Sequence, residues 1–390
     1  MGVPSQVGLC LLAGGACLTS TLRRFSIYRF SIKKTLIILT ILTVFSLTVP
    51  GCYGAGSSSG GWCGPVVSDG TVYMGTRKGQ ILALETSSGK VKWQFPGDKD
   101  KITLGSIYGT PSAIDGVIYF GAYNGAVYAL DAASGAVKWE YETQASIVGS
   151  PLVANGTVYI GSSDGKFYAL DAANGEWKWD FKAPDKIWSG AAIFEDLVYF
   201  GSMDHKLYAL DAATGVKRWE FKTEAAIAST PLVAAQTVYV GSFDKRLYAI
   251  DANTGQEKWH FEAGNWFWTR ALSDGDTVYA PSLDHGVYAV DARSGVKKWE
   301  FKTNGPIHSW PVLMDGKLIV GSKDGNVYSL DARTGAKKWA FPAGAEVLAP
   351  LATNGKTIYA STVKDVVYAL DADNGARLWE YPQPEEKTGK

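Results

Sequence analysis

Tryptophan divides this chain at a fixed interval. Trp93, Trp139, Trp179, Trp219, Trp259, Trp299, Trp339 and Trp379 each close a stretch like the one at 209–219, Ala-Leu-Asp-Ala-Ala-Thr-Gly-Val-Lys-Arg-Trp. The first interval is 46 residues, with the extra length in 96–106, and every later interval is 40. A period of this length that carries short β-type runs and no helical pattern marks a repeat array.

The repeat at 230–261 shows what one unit builds. Its four runs, 231–235, 237–241, 246–251 and 257–261, are rich in Val, Tyr, Ile, Trp or Phe and are bounded by Gly, Asp, Asn or Ser. Each predicts a strand. The third and fourth are joined by Asp251-Ala-Asn-Thr-Gly255, where the Asp side chain can accept turn amides and the Gly supplies a positive φ. The recurring acidic residue is therefore turn chemistry and not a catalytic series.

A single four-stranded sheet of this size cannot bury both faces, so the repeats must stack. An open row would expose two apolar ends, whereas eight twisted sheets set radially close on themselves. The predicted fold is all-β, an eight-bladed β-propeller of four-stranded antiparallel blades over residues 62–382. Each repeated Trp would point into the seam between blades. Lys138, Lys178, Lys258, Lys298 and Lys338 would flank it on the outermost edge, where charge discourages edge-to-edge association. The chain enters on an inner strand near Cys63 and leaves on an outer strand near Tyr381, so the ring is expected to shut by side-chain packing without strand exchange.

The pattern Ala-x-Asp-x-x-(Thr/Ser/Asn)-Gly-x-x-x-Trp resembles the tryptophan-docking repeat of the PQQ-type β-propeller family. Full copies begin at Ala129, Ala169, Ala209, Ala249, Ala289 and Ala369, while Glu85 replaces Asp in the first copy and Ser329 replaces Ala in the seventh. The resemblance implies that the eight Trp residues are structural docking residues, each sandwiched between blades. For the quinone-dependent dehydrogenases with this fold, it further implies a vicinal cysteine disulfide, a stacking Trp and a calcium cage around the cofactor. This chain has no Cys-Cys pair and no long loops to supply a cage and a catalytic Asp, so no catalytic residue, metal or cofactor is expected. A lipoprotein built from eight such repeats also resembles the BamB-like accessory subunits of the outer-membrane β-barrel assembly machine. That resemblance implies a scaffold whose loops on one propeller face contact a partner.

The whole chain sets further bounds. Lys plus Arg equals Asp plus Glu at 38 each, which leaves no basic surplus for nucleic acid. Of Cys10, Cys17, Cys52 and Cys63, only the last lies near the propeller, so neither a disulfide framework nor zinc spacing is present. Arg23, Arg24, Arg29, Lys33 and Lys34 precede an apolar run at 35–49 and then Val49-Pro50-Gly51-Cys52. A basic region followed by an apolar run too short for a comfortable span reads as an export signal, and its exit is similar to a bacterial lipobox with Cys52 as the lipidated residue. Residues before Arg23 lack a basic region, which places the expected translation start later than Met1. Residues 1–52 are thus read as signal, 53–61 as a Gly/Ser-rich tether and 383–390 as a polar tail. The protein is expected to be exported and held at the cell envelope by its lipid.

Function would reside in loops. Aligned on the repeat, the residue three before the first-strand proline position reads Trp62, Tyr108, Val148, Trp188, Ala228, Trp268, His308 and Leu348. Trp266, Phe267, Arg270 and Trp310 stand beside them. The repeat does not demand aromatics here, so Trp62, Tyr108, Trp188, Trp266, Trp268, Arg270, His308 and Trp310 form the candidate binding face. Two readings stay open: these side chains plug the wide centre of the ring, or they recognise something. Arg270 suits a ligand carboxylate or an acidic partner residue. A second loop series, Asp164, Asp204, Asp244, Asp284 and Asp324, has His205 and His285 beside two members. Those pairs lie two blades apart and cannot share an ion, so the series is read as solvated turn tips.

The expected function is a non-catalytic, membrane-tethered, monomeric propeller that serves as a scaffold for an envelope protein or membrane complex, BamB-like in outer-membrane β-barrel assembly. The alternatives are an extracytoplasmic ligand-binding or sensor propeller and a PQQ-dependent dehydrogenase. Exposed strand edges would also suit augmentation by a partner strand.

Overall fold

The computed structural model describes residues 63–98 and 100–383. Among them, thirty-two strands form eight four-stranded antiparallel sheets, each made of consecutive strands, and there is no helix. This is the eight-bladed propeller that the repeat predicts. In the fifth blade the strands are Leu232–Ala234, Thr237–Gly241, Arg246–Asp251 and Glu257–Glu262. The second is buried along its whole length because a neighbouring blade covers each face, whereas the fourth alternates exposed and half-buried residues at the rim.

Turns follow the local chemistry. Asn155 and Gly156, with φ of 50° and 68°, join the first two strands of the third blade in the left-handed conformations that match strand twist. Asp251 Oδ1 accepts the amides of Asn253 and Thr254 at 3.1 and 3.0 Å, which fixes the turn before the rim strand.

One local feature is absent from the apolar pattern. Ala249 faces Trp259 but Ile250 faces Glu257, so Lys258 is an extra residue in a bulge, and every blade has the same slip. Lys258 folds back over the sheet, donating to Thr237 Oγ1 at 2.9 Å and pairing with Asp251 at 3.2 Å. Lys178 and Lys298 repeat the arrangement. From the outermost strand these lysines brace sheet and turn.

The core is divided into eight buried clusters, one for each seam between neighbouring blades. Each repeated Trp spans a seam. Its indole Nε1 donates to a backbone carbonyl in the turn of the next blade at 2.8–3.3 Å, and the last, Trp379, donates to Thr86 of the first. The turn glycine lies flat against the indole: a Cβ on Gly255 would stand 2.8 Å from Cδ2 and Cε3 of Trp219. In five seams a buried Tyr, such as Tyr199 at 3.1 Å from Ala252 O, donates to the same carbonyl. The final seam adds Arg77, whose amide donates to Asp365 at 2.9 Å. No strand crosses a seam among the described residues. Residues 53–61 lie outside the described residues.

Candidate binding face and axial channel

The segment leading into each blade carries one residue to the propeller axis, giving the series Gly64, Thr110, Ser150, Gly190, Thr230, Arg270, Trp310 and Pro350. Neighbours in this ring touch. A Cβ on Gly64 would lie 2.7 Å from Pro350 and 2.8 Å from Thr110 Oγ1, so only glycine fits between them. Thr110 N donates to Ser150 Oγ at 2.9 Å, and Gly190 N to Thr230 Oγ1 at 3.1 Å.

Two residues earlier in the same segments, Tyr108, Trp188, Trp268 and His308 surround a cavity of about 60 Å³, with Trp310 at its base. Arg270 does not line it. It faces an adjoining cavity of about 150 Å³ with Thr110, Ser150, Thr230 and Trp310. Five of the predicted binding residues thus converge on one axial mouth, and Arg270 sits at the second cavity. Trp62 and Cys52 lie outside the described residues.

The aromatic surface extends outward from the mouth. Trp266, 40% exposed, stacks on Phe243 with centroids 4.4 Å apart, and Phe243 stacks on Trp268 at 5.1 Å. Trp268 in turn approaches His308 at 6.3 Å. On the other side, Tyr123 is 51% exposed and packs on Tyr108. Sequence reasoning missed Phe243 and Tyr123. Both occupy the position just before the Asp or Asn of the loop between the second and third strands, and aligning that position across repeats would have exposed them.

The loop aspartates are clamps, which corrects the reading of solvated tips. Asp244 Oδ2 accepts Tyr248 Oη at 2.8 Å and the amide of Glu224 at 3.0 Å, while its Oδ1 accepts the amide of Arg246 at 3.0 Å. The same bonds recur at Asp164, Asp284 and Asp324. One carboxylate therefore ties the segment entering its own blade to the loop between the second and third strands of that blade, and holds the displayed aromatics in register. His205 and His285 follow their aspartates at φ of 72° and 73°, where other blades use Gly125, Gly165 and Gly325. They are turn residues.

Burial sets the charge states at the axis. It pushes the His308 imidazole down to about 4, with Lys323 adding to the effect, so His308 is neutral near pH 7. Burial likewise lowers the Arg270 guanidinium from its ordinary value. The guanidinium carbon lies 5.8 Å from the ring centre of Trp310. Burial raises the Cys63 thiol to about 12. Cys63 Sγ accepts the Gly75 amide at 3.1 Å and donates to Gly109 O at 3.2 Å. Ser229 plays the corresponding part toward Gly241.

A quinone with its calcium does not fit these residues. Cys63 is a buried, unpaired structural thiol. Among the described residues no three His, Cys, Asp or Glu side chains converge to hold a metal ion. Among the described residues the axial mouth is lined by no Asp, Glu, Asn or Gln that could supply a calcium cage.

The family model for outer membrane protein assembly factor BamB matches residues 43–103, 98–187, 184–306 and 283–389. Among solved structures, BamB from Moraxella catarrhalis is 22% identical, with a TM-score of 0.68, covering 78% of this chain and 94% of that one. The computationally designed Ika8 protein is 17% identical, with a TM-score of 0.71 over 80% of this chain and 98% of its own. The quinohemoprotein alcohol dehydrogenase ADHIIG from Pseudomonas putida HK5 is 17% identical, with a TM-score of 0.65 over 79% of this chain and 69% of that enzyme. None of the curated proteins compared matches the sequence. At these identities the structural likenesses show the fold.

Proposed function

This chain belongs to the outer membrane protein assembly factor BamB family, and from that premise we propose that it is a non-catalytic, monomeric propeller. It is tethered to the envelope by a lipid on Cys52 and acts as an interaction scaffold in outer-membrane β-barrel assembly. The observation that carries the reading is the contiguous aromatic stripe Trp266–Phe243–Trp268, displayed on one face by loops whose backbone is clamped by Asp244 and Asp284. Rigid, partly exposed aromatics supply contact area at low entropic cost, as interface anchors do. The poor fit to a quinone disfavours the dehydrogenase alternative.

The test is site-specific photocrosslinking in intact envelopes. A crosslinker at Trp266 should capture a membrane-complex partner, and one at Thr214, exposed in a turn on the opposite face, should not. Equal capture from both positions, or capture from neither, would refute the assignment of this face.

A further inference from the structure

We propose that the axial channel holds a binding site for a small oxyanion, a carboxylate or an inorganic phosphate or sulfate, formed by Arg270 and Thr110. The inference goes beyond the scaffold reading and stands independently of it. Arg270 comes from the sixth blade and Thr110 from the second, so they meet across the axis at the 150 Å³ cavity. Arg270 Nε and Thr110 Oγ1 are both buried without a hydrogen-bond partner. Buried polar groups are almost always bonded, and two orphans lining one cavity are a specific signal.

The chemistry of the lining selects the sign of the ligand. Arg270 offers N–H donors and no acceptor, in a fork that matches a carboxylate or phosphate edge. Ser150 Oγ and Thr230 Oγ1 each accept a backbone N–H, which leaves each hydroxyl proton to donate into the cavity. Among the described residues no Asp or Glu lines either axial cavity. A group of donors around an uncompensated cation calls for an anion with several acceptor oxygens. Trp310 braces the guanidinium by lying against it. The cavity, about 150 Å³, admits an ion of acetate, phosphate or sulfate size.

The experiment follows the melting temperature of the full chain in detergent as acetate, phosphate or sulfate replaces chloride at constant ionic strength. Wild type should show a saturable rise with at least one of the three. Arg270→Gln should abolish the rise, and Thr110→Val should raise the half-saturating concentration several-fold. Acetate as the effective ion assigns the site to organic carboxylates, and phosphate or sulfate assigns it to inorganic anions. Should Arg270→Gln not fold, the Nε–H resonance of Arg270 in ¹⁵N-labelled wild type takes its place, with a saturable shift expected. An equal rise in wild type and Arg270→Gln, a resonance unmoved by all three ions, or no rise beyond chloride would overturn the proposal.

Discussion

Replacing Gly255 by Ala tests the seam directly, because two costs coincide there. Gly255 has φ of +72°, which an alanine adopts at a cost of about 1–2 kcal/mol. The new Cβ would also stand 2.8 Å from the Trp219 indole, where carbon atoms ordinarily rest about 3.5–4.0 Å apart. The ring must recede, loosening its 2.9 Å bond to Ala252 O, and overpacking of this kind costs about 1–3 kcal/mol more. Gly156 separates the two terms, since its φ is +68° and nothing lies within 4 Å of its would-be Cβ. Gly156→Ala should therefore show the backbone cost alone. For a domain of this size, 1 kcal/mol corresponds to about 1.5 °C in Tm, so Gly255→Ala should melt about 1.5–4.5 °C below Gly156→Ala. In a Trp219→Ala background, itself destabilised by about 3–5 kcal/mol, the excess should vanish, giving a coupling of about 1–3 kcal/mol. Equal losses at the two glycines, or an excess that survives removal of the indole, would refute the docking argument.

Two further predictions concern buried polar groups. Ser229 Oγ accepts the Gly241 amide at 3.0 Å, so Ser229→Ala should cost about 1–3 kcal/mol by denaturant titration. Thr269 occupies the same place in the sixth blade, but its counterpart is Pro281, which has no N–H, and its hydroxyl is buried without a partner; Thr269→Val should be neutral or stabilising in the same assay. For His308 the folded-state pKa, about 4, lies below the ordinary 6.5 of the unfolded chain, so the unfolded chain takes up the proton first. The stability is therefore full above pH 6.5 and falls as the pH drops toward 4, by about 2 kcal/mol at pH 5. Asp291 and Asp331, held at about 2, act only below their ordinary 3.8, outside this window. The Tm of wild type should fall more than that of His308→Gln between pH 7 and pH 5, and parallel profiles would show that His308 is not the group responsible.

Strand number, strand position and blade count were legible in the sequence because they depend on interactions inside one repeat. Apolar runs such as 237–241 must be strands wherever they lie, and Asp251 closes its turn with amides two and three residues away. Forty-residue spacing then forced the units to stack, and closure followed from the need to cover the two ends. The loop aromatics were legible for the opposite reason: Trp188, Trp268 and Trp310 stand where the repeat asks for none.

What only the tertiary structure decided are contacts between blades and across the axis. The bulge at Lys258 sends that lysine back over the sheet while Trp259 enters the seam, a register choice invisible in residue type. Asp244 looks like any turn residue until the chain crossing over from the fourth blade delivers the Glu224 amide to it. Arg270 and Thr110, 160 residues apart, share a cavity only because eight blades of one twist bring opposite positions together. A repeat repeats its own contacts faithfully, but the distance across a closed ring depends on how all the blades pack, and no single copy of the motif contains that information.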